Sequence, residues 1–214
     1  MASPDVVIIG ACRTPIGAFG GAFKTLTAAD LGAVAIRDAI GRAGVAAADV
    51  SDVIMGSVLQ VGAGMNVARQ AAIAAGLPVH VPAETINRVC GSGLQAVVHA
   101  AEALAFGYAS VILAGGTESM SSAPYLLGGA RWGYRLGHGA ITDAILSDGL
   151  TCAMGGCHMG VTAEEVATRY GITRTAQDAC AVESQRRAAS AAKEGRFRDE
   201  IVAVPVPQRK GSPL

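Results

Sequence analysis

Short apolar runs alternate with helical stretches along the first 119 residues, and this alternation constrains the fold more than any other feature of the sequence. The strands are predicted at 6–10, 52–59, 84–89 and 110–116, and the helices between them at 27–44, 66–76 and 91–107. Strands separated by helices of this length pair mainly in parallel. The sequence therefore predicts an α/β fold with a mixed, mostly parallel sheet packed by helices.

Capping signals mark the ends of several helices. Thr27 and Asp30 have the spacing of a capping box, and Gly44 is the expected end of the first helix. Two further helices are predicted at 162–171 and 175–195, each starting at a threonine and stopping at a glycine.

The pattern of the sequence changes after residue 119, where a glycine-rich stretch shows no regular spacing of hydrophobic residues. We predict a core domain at 1–119 and a partial, loop-rich covering domain at 120–214. Residues 204–214 are extended and polar and supply no concluding strand, so the core is expected to lack its last strand.

Charge and hydropathy exclude several classes of protein. Lys plus Arg and Asp plus Glu number 17 each, so no net field attracts nucleic acid or an acidic membrane. No apolar run approaches the roughly 20 residues of a membrane-spanning helix. No basic segment precedes the first apolar run, as it would in a secretion signal. Five cysteines at irregular spacing are not a disulfide framework, and reduced thiols in a cytoplasmic protein are predicted.

Cys90 lies between a predicted strand and a predicted helix and is followed by Gly-Ser-Gly. Free backbone N–H groups and the positive end of the helix dipole favour a thiolate at such a position. The small residues leave the sulfur accessible, and the same N–H groups could stabilise an oxyanion on an attacked carbonyl. The stretch therefore suits covalent acyl transfer.

Other interpretations of these residues remain open from spacing alone. A cysteine is often only a small buried hydrophobic residue. Residues 91–96 also match GxGxxA, a dinucleotide-binding turn, with Glu118 after the next strand as a candidate ribose ligand. Cys152, Cys157 and His158 lie close together, but they are one ligand short of a zinc site, so no metal is predicted. Arg13 is interpreted as structural, tying down the turn after the first strand.

Five ordered blocks of the sequence resemble the N-terminal half of the thiolase family. The blocks are CRTPIGAFGG (12–21), GMNVARQAAIAAGLP (64–78), INRVCGSGLQAV (86–97), VILAGGTESMSSAPY (111–125) and CHMGVTAEEVA (157–167). The resemblance implies a thiolase-like fold in which the region after residue 119 covers the core and holds coenzyme A.

The resemblance also implies roles for particular residues. Cys90 is expected to take the acyl group from acyl-CoA as a thioester. His158 and Leu150 are expected near the CoA moiety, and Met159 in the lining of the acyl pocket. Residues 132–138 match a loop that joins dimers into tetramers, so a homo-oligomer is expected. Acyl-CoA and coenzyme A are the expected partners, as substrates, with no separate cofactor.

The implied activity is acyl-CoA:acetyl-CoA C-acyltransfer, by thiolytic cleavage or Claisen condensation, in fatty acid metabolism. The family's asparagine, histidine and second cysteine belong to C-terminal blocks that do not occur in these 214 residues. The sequence is therefore expected to be a fragment or one half of a split enzyme, inactive alone. An NAD-dependent oxidoreductase and a non-catalytic binding subunit are the alternative interpretations.

Overall fold

A computed structural model describes residues 5–208 and gives an α/β fold. Three parallel strands form the main sheet in the order β2–β1–β3: β1 (Asp52–Gly56), β2 (Ala83–Ile86) and β3 (Ile112–Gly116). The helices are α1 (Ala28–Ala43), α2 (Val67–Ala75), α3 (Ser92–Ala105), α4 (Met159–Arg169) and α5 (Arg174–Lys193). A short antiparallel pair, β4 (Tyr125–Leu126) and β5 (Thr142–Asp143), and a π-helix at Ile145–Leu150 lie in the region after β3.

The central strand β1 is buried on both faces because helices cover each of them. Val53 and Met55 point to one side, where they join a cluster with Ile36 of α1 and small residues of α2. Ile54 points to the other side and packs with Ala96 and Ala100 of α3. This division follows from the two-residue period of a strand. The helix-packed parallel sheet predicted from the sequence is confirmed.

The predicted ends of the first two helices are also confirmed. The Thr27 side chain accepts a hydrogen bond from the N–H of Asp30, whose carboxylate accepts one from the N–H of Thr27. Gly44 ends α1 with φ of 64°, and Gly76 ends α2 with φ of 97°. These left-handed conformations are the reason that glycine occupies both positions.

The strand predicted at 6–10 is wrong. The segment belongs to no strand, and the side chains of Val7 and Ile8 are 70% and 80% exposed. A cavity of about 560 Å³ lies between residues 5–12 and residues 109–116, with α1 and α3 contributing its other walls. Since a strand exists only through pairing, an apolar segment separated from β3 by this gap has no ladder to join.

The region after β3 leaves the core and returns to the same place. Ser119 donates to the carbonyl of Leu26, and the Ser121 hydroxyl accepts from the N–H of Gly20. At the return, Val204 packs with Leu26 and Leu31. Residues 209–214, part of the extended C-terminal stretch, lie outside the described residues.

Arg13 is structural, but it holds a different element from the one predicted. Its N–H donates to the carbonyl of Glu200 (2.8 Å) and its carbonyl accepts from Val202 (2.9 Å). Its guanidinium pairs with the Glu200 carboxylate and lies 5.1 Å from the Phe197 ring centre. Arg13 therefore fastens the returning chain at residues 197–202, and its contact with the turn that follows it is a long hydrogen bond from Nη1 to the Thr14 carbonyl (3.5 Å).

The last two helices begin at other residues than predicted. His158, and not Thr162, caps α4, and its Nδ1 accepts from the N–H of Gly160 (2.9 Å). Thr173, and not Thr175, caps α5. Neither helix contains a buried residue, so no packed face fixes its start. Among the helices of residues 5–208, none combines the length and the apolar character that crossing a bilayer requires.

Candidate active site

Cys90 is exposed on a tight turn that joins β2 to α3. The N–H of Gly91 donates to the Arg88 carbonyl (3.1 Å), and the N–H of Ser92 donates to the Val89 carbonyl (3.0 Å). Val89 has φ of 50°, a left-handed conformation that a β-branched side chain rarely adopts. The turn thus presents the sulfur in front of a helix at the expense of strain in the preceding residue.

Two side chains hold this turn. The Ser92 hydroxyl accepts from the N–H of Arg88 (2.8 Å) and donates to the carbonyl of Val89 (2.6 Å), and the residue is 2% exposed. The Asn87 Oδ1 accepts from the N–H of Val89 (2.9 Å). Hydrogen bonds on both sides of Val89 therefore fix its conformation. The sequence did not reveal this role of Ser92, which was noted only as a small residue.

The start of α3 lies directly against the ends of β1 and β3. A Cβ on Gly56 would lie 2.4 Å from the Ser92 carbonyl carbon, and one on Gly116 would lie 3.1 Å from the Cα of Gly93. Backbone thus touches backbone at both crossings, and only glycine permits this approach. The contact fixes the height of Cys90 above the carboxyl ends of the strands.

The backbone N–H groups around the turn, which were expected to face an oxyanion, are not all available for that role. Those of Gly91 and Ser92 are engaged in the turn itself. Within residues 5–208, the N–H groups of Cys90 and Gly93 take no part in these turn hydrogen bonds. Among the N–H groups of this turn, these two are the candidates for donating to a substrate oxygen.

Glu118 organises the loop that follows β1. Its carboxylate accepts from the N–H of Val58 (2.8 Å), the N–H of Leu59 (3.2 Å) and the Ser57 hydroxyl (3.3 Å). These three donors from its own chain commit the carboxylate to holding this loop, a role different from that of a ribose ligand. The dinucleotide interpretation needs Glu118 as a ribose ligand, so the structure weakens that interpretation. Glu118 instead has a structural role, which the sequence did not indicate.

The loop at 57–59 connects the cysteine turn with the region after residue 119. The Asn87 side-chain amide donates to the carbonyl of Val58 (3.4 Å). On the other side, Leu59 is buried and its Cδ2 would lie 3.3 Å from a Cβ on Gly149, which directly precedes Leu150. A short chain of contacts therefore links the segments of Cys90 and Leu150.

Leu150, His158 and Met159 lie at one end of a hairpin. Thr151 and His158 form an antiparallel bridge, so Leu150 and Met159 are the next residues outward on the two chains. Met159 is 40% exposed and His158 is also exposed. The three residues expected around CoA are thus brought together.

The interpretation of Cys152, Cys157 and His158 as a metal site gains no support from the described residues. In the part of the chain from 5 to 208, no group of three or more His, Cys, Asp or Glu side chains could hold a metal ion. His158 uses its Nδ1 in the cap of α4, as described above.

Sheet, turn and cysteine together define an α/β protein that presents an exposed thiol at the start of a helix. Residues 6–214 match the family model described as "Thiolase, N-terminal domain". The chain belongs to the thiolase family.

Several curated relatives resemble almost the whole chain. It is 55% identical over 210 residues to an acetyl-CoA acetyltransferase of Cupriavidus necator, covering 98% of this chain and 53% of that protein. It is 54% identical to one of Chromobacterium violaceum, with 98% and 54% covered. A probable acetyl-CoA acyltransferase of Staphylococcus aureus is 48% identical, with 98% and 53% covered. The chain thus spans about half the length of these relatives.

Proposed function

We propose that this chain supplies the acyl-accepting cysteine of an acyl-CoA:acetyl-CoA C-acyltransferase. The observation that carries the proposal is the exposed Cys90 on a strained turn between β2 and α3. Membership of the thiolase family and the names of the relatives support the same reaction class. We further propose a cytoplasmic protein acting in fatty acid metabolism, with acyl-CoA and coenzyme A as substrates and no separate cofactor.

The first half-reaction transfers the acyl group to Cys90. The thiolate sulfur attacks the carbonyl carbon of acyl-CoA, and the resulting oxyanion accepts hydrogen bonds from free backbone N–H groups at the turn. The carbon–sulfur bond to CoA then breaks, and CoA leaves as a thiolate that takes up a proton. The product is an acyl-Cys90 thioester.

The second half-reaction needs a base and enolate donors in addition to Cys90. Condensation requires a base that removes a proton from the methyl group of acetyl-CoA, and donors that stabilise the enolate. The enolate carbon attacks the thioester, and the Cys90 sulfur leaves. The thiolase resemblance assigns the base and the donors to C-terminal blocks, so we propose that these come from the remaining half of the enzyme.

Leu150, His158 and Met159 are proposed to contact CoA and the acyl chain. Their common position at the end of the 151–158 hairpin supports this role. The loop at 57–59 links that hairpin region to the cysteine turn, which favours one continuous substrate path between them.

Mass spectrometry tests the acyl transfer. The chain is co-expressed with the C-terminal half of the Cupriavidus necator relative and treated with acetyl-CoA. We expect one acetyl group on the tryptic peptide 89–131, whose only cysteine is Cys90. Cys90→Ser should abolish the modification, whereas Cys180→Ser on the exposed face of α5 should not. Acetylation of another cysteine at the same rate would refute the proposal.

Ligand protection separates the alternatives. Coenzyme A should slow alkylation of Cys90 and raise the melting temperature, and NAD should do neither. An effect of NAD alone would favour the oxidoreductase, and no effect of either ligand would favour a binding subunit.

We propose a homo-oligomer, a dimer or tetramer, assembled in part through residues 132–138. This segment lies in a loop closed by β4 and β5, and Trp132 and Leu136 are 85% and 99% exposed. Tyr134 folds back against Gly129 and Gly139, whereas the side chains of Trp132 and Leu136 point outward. In the complemented protein, Leu136→Asp should lower the mass seen by sedimentation. An unchanged mass would remove this loop from the interface.

A further inference from the structure

Cys152 and Cys157 oppose each other at the base of a four-residue loop. The N–H of Cys152 donates to the carbonyl of Cys157 (2.8 Å), and the N–H of Gly156 donates to the carbonyl of Cys152 (2.8 Å). The antiparallel bridge between Thr151 and His158 lies immediately outside this pair. The two cysteines are therefore cross-strand neighbours.

Both sulfur atoms border the same open space over Gly155. A Cβ at Gly155 would lie 3.5 Å from the Cys157 sulfur and 3.6 Å from the Cys152 sulfur. The N–H of Gly155 donates to the Cys152 sulfur (3.3 Å) and orients it toward this space. Glycine at position 155 contributes no side chain to this space, and the Cys157 sulfur also lies 3.7 Å from the Thr162 hydroxyl oxygen.

The backbone spacing of such a pair suits a disulfide. Opposing residues of an antiparallel pair have Cα atoms about 4.5–5.5 Å apart. Disulfides span Cα separations of roughly 4.4–6.8 Å. Rotation of the two side chains is therefore sufficient, and the backbone keeps its course.

The other three cysteines lie elsewhere in the fold. Cys12 is partly buried under α1 and donates to the carbonyl of Ala35. Cys90 is exposed on the turn before α3, and Cys180 is exposed on α5.

We propose that Cys152 and Cys157 are a reversible thiol–disulfide pair that small-molecule disulfides, such as glutathione disulfide, oxidise. One cysteine thiolate attacks a sulfur of glutathione disulfide, forms a mixed disulfide and releases one glutathione thiolate. The second cysteine thiolate attacks the protein sulfur of that mixed disulfide and releases the other glutathione. Two cysteines are oxidised, one glutathione disulfide is reduced to two thiols, and two protons leave the cysteines.

The proposal does not depend on acyl transfer, because it concerns thiols outside the cysteine turn. The bond would close a ring directly before His158, the residue that caps α4. Oxidation would add a covalent cross-link to the hairpin that backbone hydrogen bonds already form in the reduced chain, and reduction would leave only those hydrogen bonds.

Peptide mapping of the 214-residue chain tests the proposal. After treatment with glutathione disulfide and blocking of free thiols, trypsin releases both cysteines in one peptide, 136–169, which contains no other cysteine. We expect most of this peptide to lose two hydrogens and to carry neither glutathione nor the blocking group. Dithiothreitol should restore two free thiols.

Two variants and a peptide control sharpen the test. Cys152→Ser and Cys157→Ser should each stop at the mixed disulfide. A synthetic peptide of residues 149–162 should show about tenfold less internal disulfide relative to mixed disulfide, because it lacks the fixed hairpin. Separate glutathionylation of both cysteines in the unmodified chain, or equal ratios in chain and peptide, would overturn the proposal.

Discussion

Val89 adopts a backbone conformation that its own side chain disfavours, and its neighbours hold it there. A left-handed conformation outside glycine costs on the order of 1–3 kcal/mol. Ser92 and Asn87 offset this cost with three hydrogen bonds to Arg88 and Val89. The position of the Cys90 sulfur therefore depends on side chains that need not touch a substrate.

Replacement of Ser92 should separate positioning from stability. Ser92→Ala removes both of its hydrogen bonds to the turn, and we expect a loss of about 1–3 kcal/mol in the free energy of unfolding. Relaxation of Val89 should displace the sulfur and slow Cys90 acetylation in the complemented protein about tenfold or more. Acetylation kinetics and chemical denaturation measure the two effects.

Ser119→Ala is the matched control for this variant. Ser119 is also buried and donates one short hydrogen bond, but to Leu26. It should lower stability while leaving the acetylation rate of Cys90 within about twofold, since the lost bond is not in the turn. Equal slowing by both variants would contradict a positioning role for Ser92.

Cys12 should be the least reactive thiol near neutral pH. Burial, with Asp38 nearby, raises the pKa of Cys12 to about 11 from its ordinary value of 9.0. The folded state then holds its proton where the unfolded chain loses it, so unfolding becomes easier between about pH 9 and pH 11. Alkylation of Cys12 should rise toward pH 11, and Cys12→Ala should flatten the loss of stability in that window. A Cys12 rate equal to that of exposed Cys180 at pH 8 would contradict this expectation.

Helix ends and strands differ in how far local sequence determines them. The ends of α1 follow from Thr27, Asp30 and Gly44, which act on backbone groups within a few residues. The segment 6–10 has the composition of a strand, but its pairing partner is decided by distant parts of the chain. For α4, His158 supplied a ring nitrogen as a cap, which the preference for Thr162 overlooked.

The candidate site shows the same distinction. Cys90 was recognisable because its surroundings at a strand–helix junction are adjacent in sequence. The role of the loop at 57–59 could not be recognised in the sequence, because the loop is held by Glu118, about sixty positions away. The division at residues 119 and 120 stays a prediction.

The carboxylate of Glu118 should hold in place the loop at 57–59, which joins the cysteine turn to the segment of Leu150. In Glu118→Gln, an amide NH₂ must face a backbone N–H, so a hydrogen bond becomes a clash of donors. We expect a loss of about 1–3 kcal/mol in stability and weaker protection of Cys90 by coenzyme A. Alkylation of Cys90 with and without coenzyme A measures the second effect.

Glu102→Gln is the comparison for Glu118→Gln. Glu102 lies on the exposed side of α3, so the same chemical change should leave both stability and protection nearly unaltered. If Glu118→Gln behaved like Glu102→Gln, the loop would not depend on the carboxylate.

On the scale of the molecule, apolar surface remains uncovered at two places that matter for association, both within residues 5–208. One is the gap between residues 5–12 and β3, and the other is the outer side of α3, where Leu94 is 74% exposed. Unpaired strand edges and apolar patches favour association. Val97 and Val98 on the same helix are 37% and 39% exposed, so α3 carries an exposed apolar face.

The 214-residue chain by itself should therefore associate and should not catalyse condensation. We expect sedimentation velocity to show concentration-dependent oligomers, reduced by Leu94→Lys. Addition of a C-terminal half from a relative should restore a defined particle and turnover together, because it would cover these surfaces and supply the base. A monodisperse monomer that forms acetoacetyl-CoA unaided would contradict both expectations.

The excursion after β3 begins and ends on one short stretch of the core, residues 13–31. Ser119 and Ser121 fasten its departure there, and Arg13 and the Val204 cluster fasten its return. With both ends tied, the length and sequence of the intervening chain can vary at little entropic cost. Over evolution, insertions and deletions in this segment can therefore accumulate without a change in the parallel sheet.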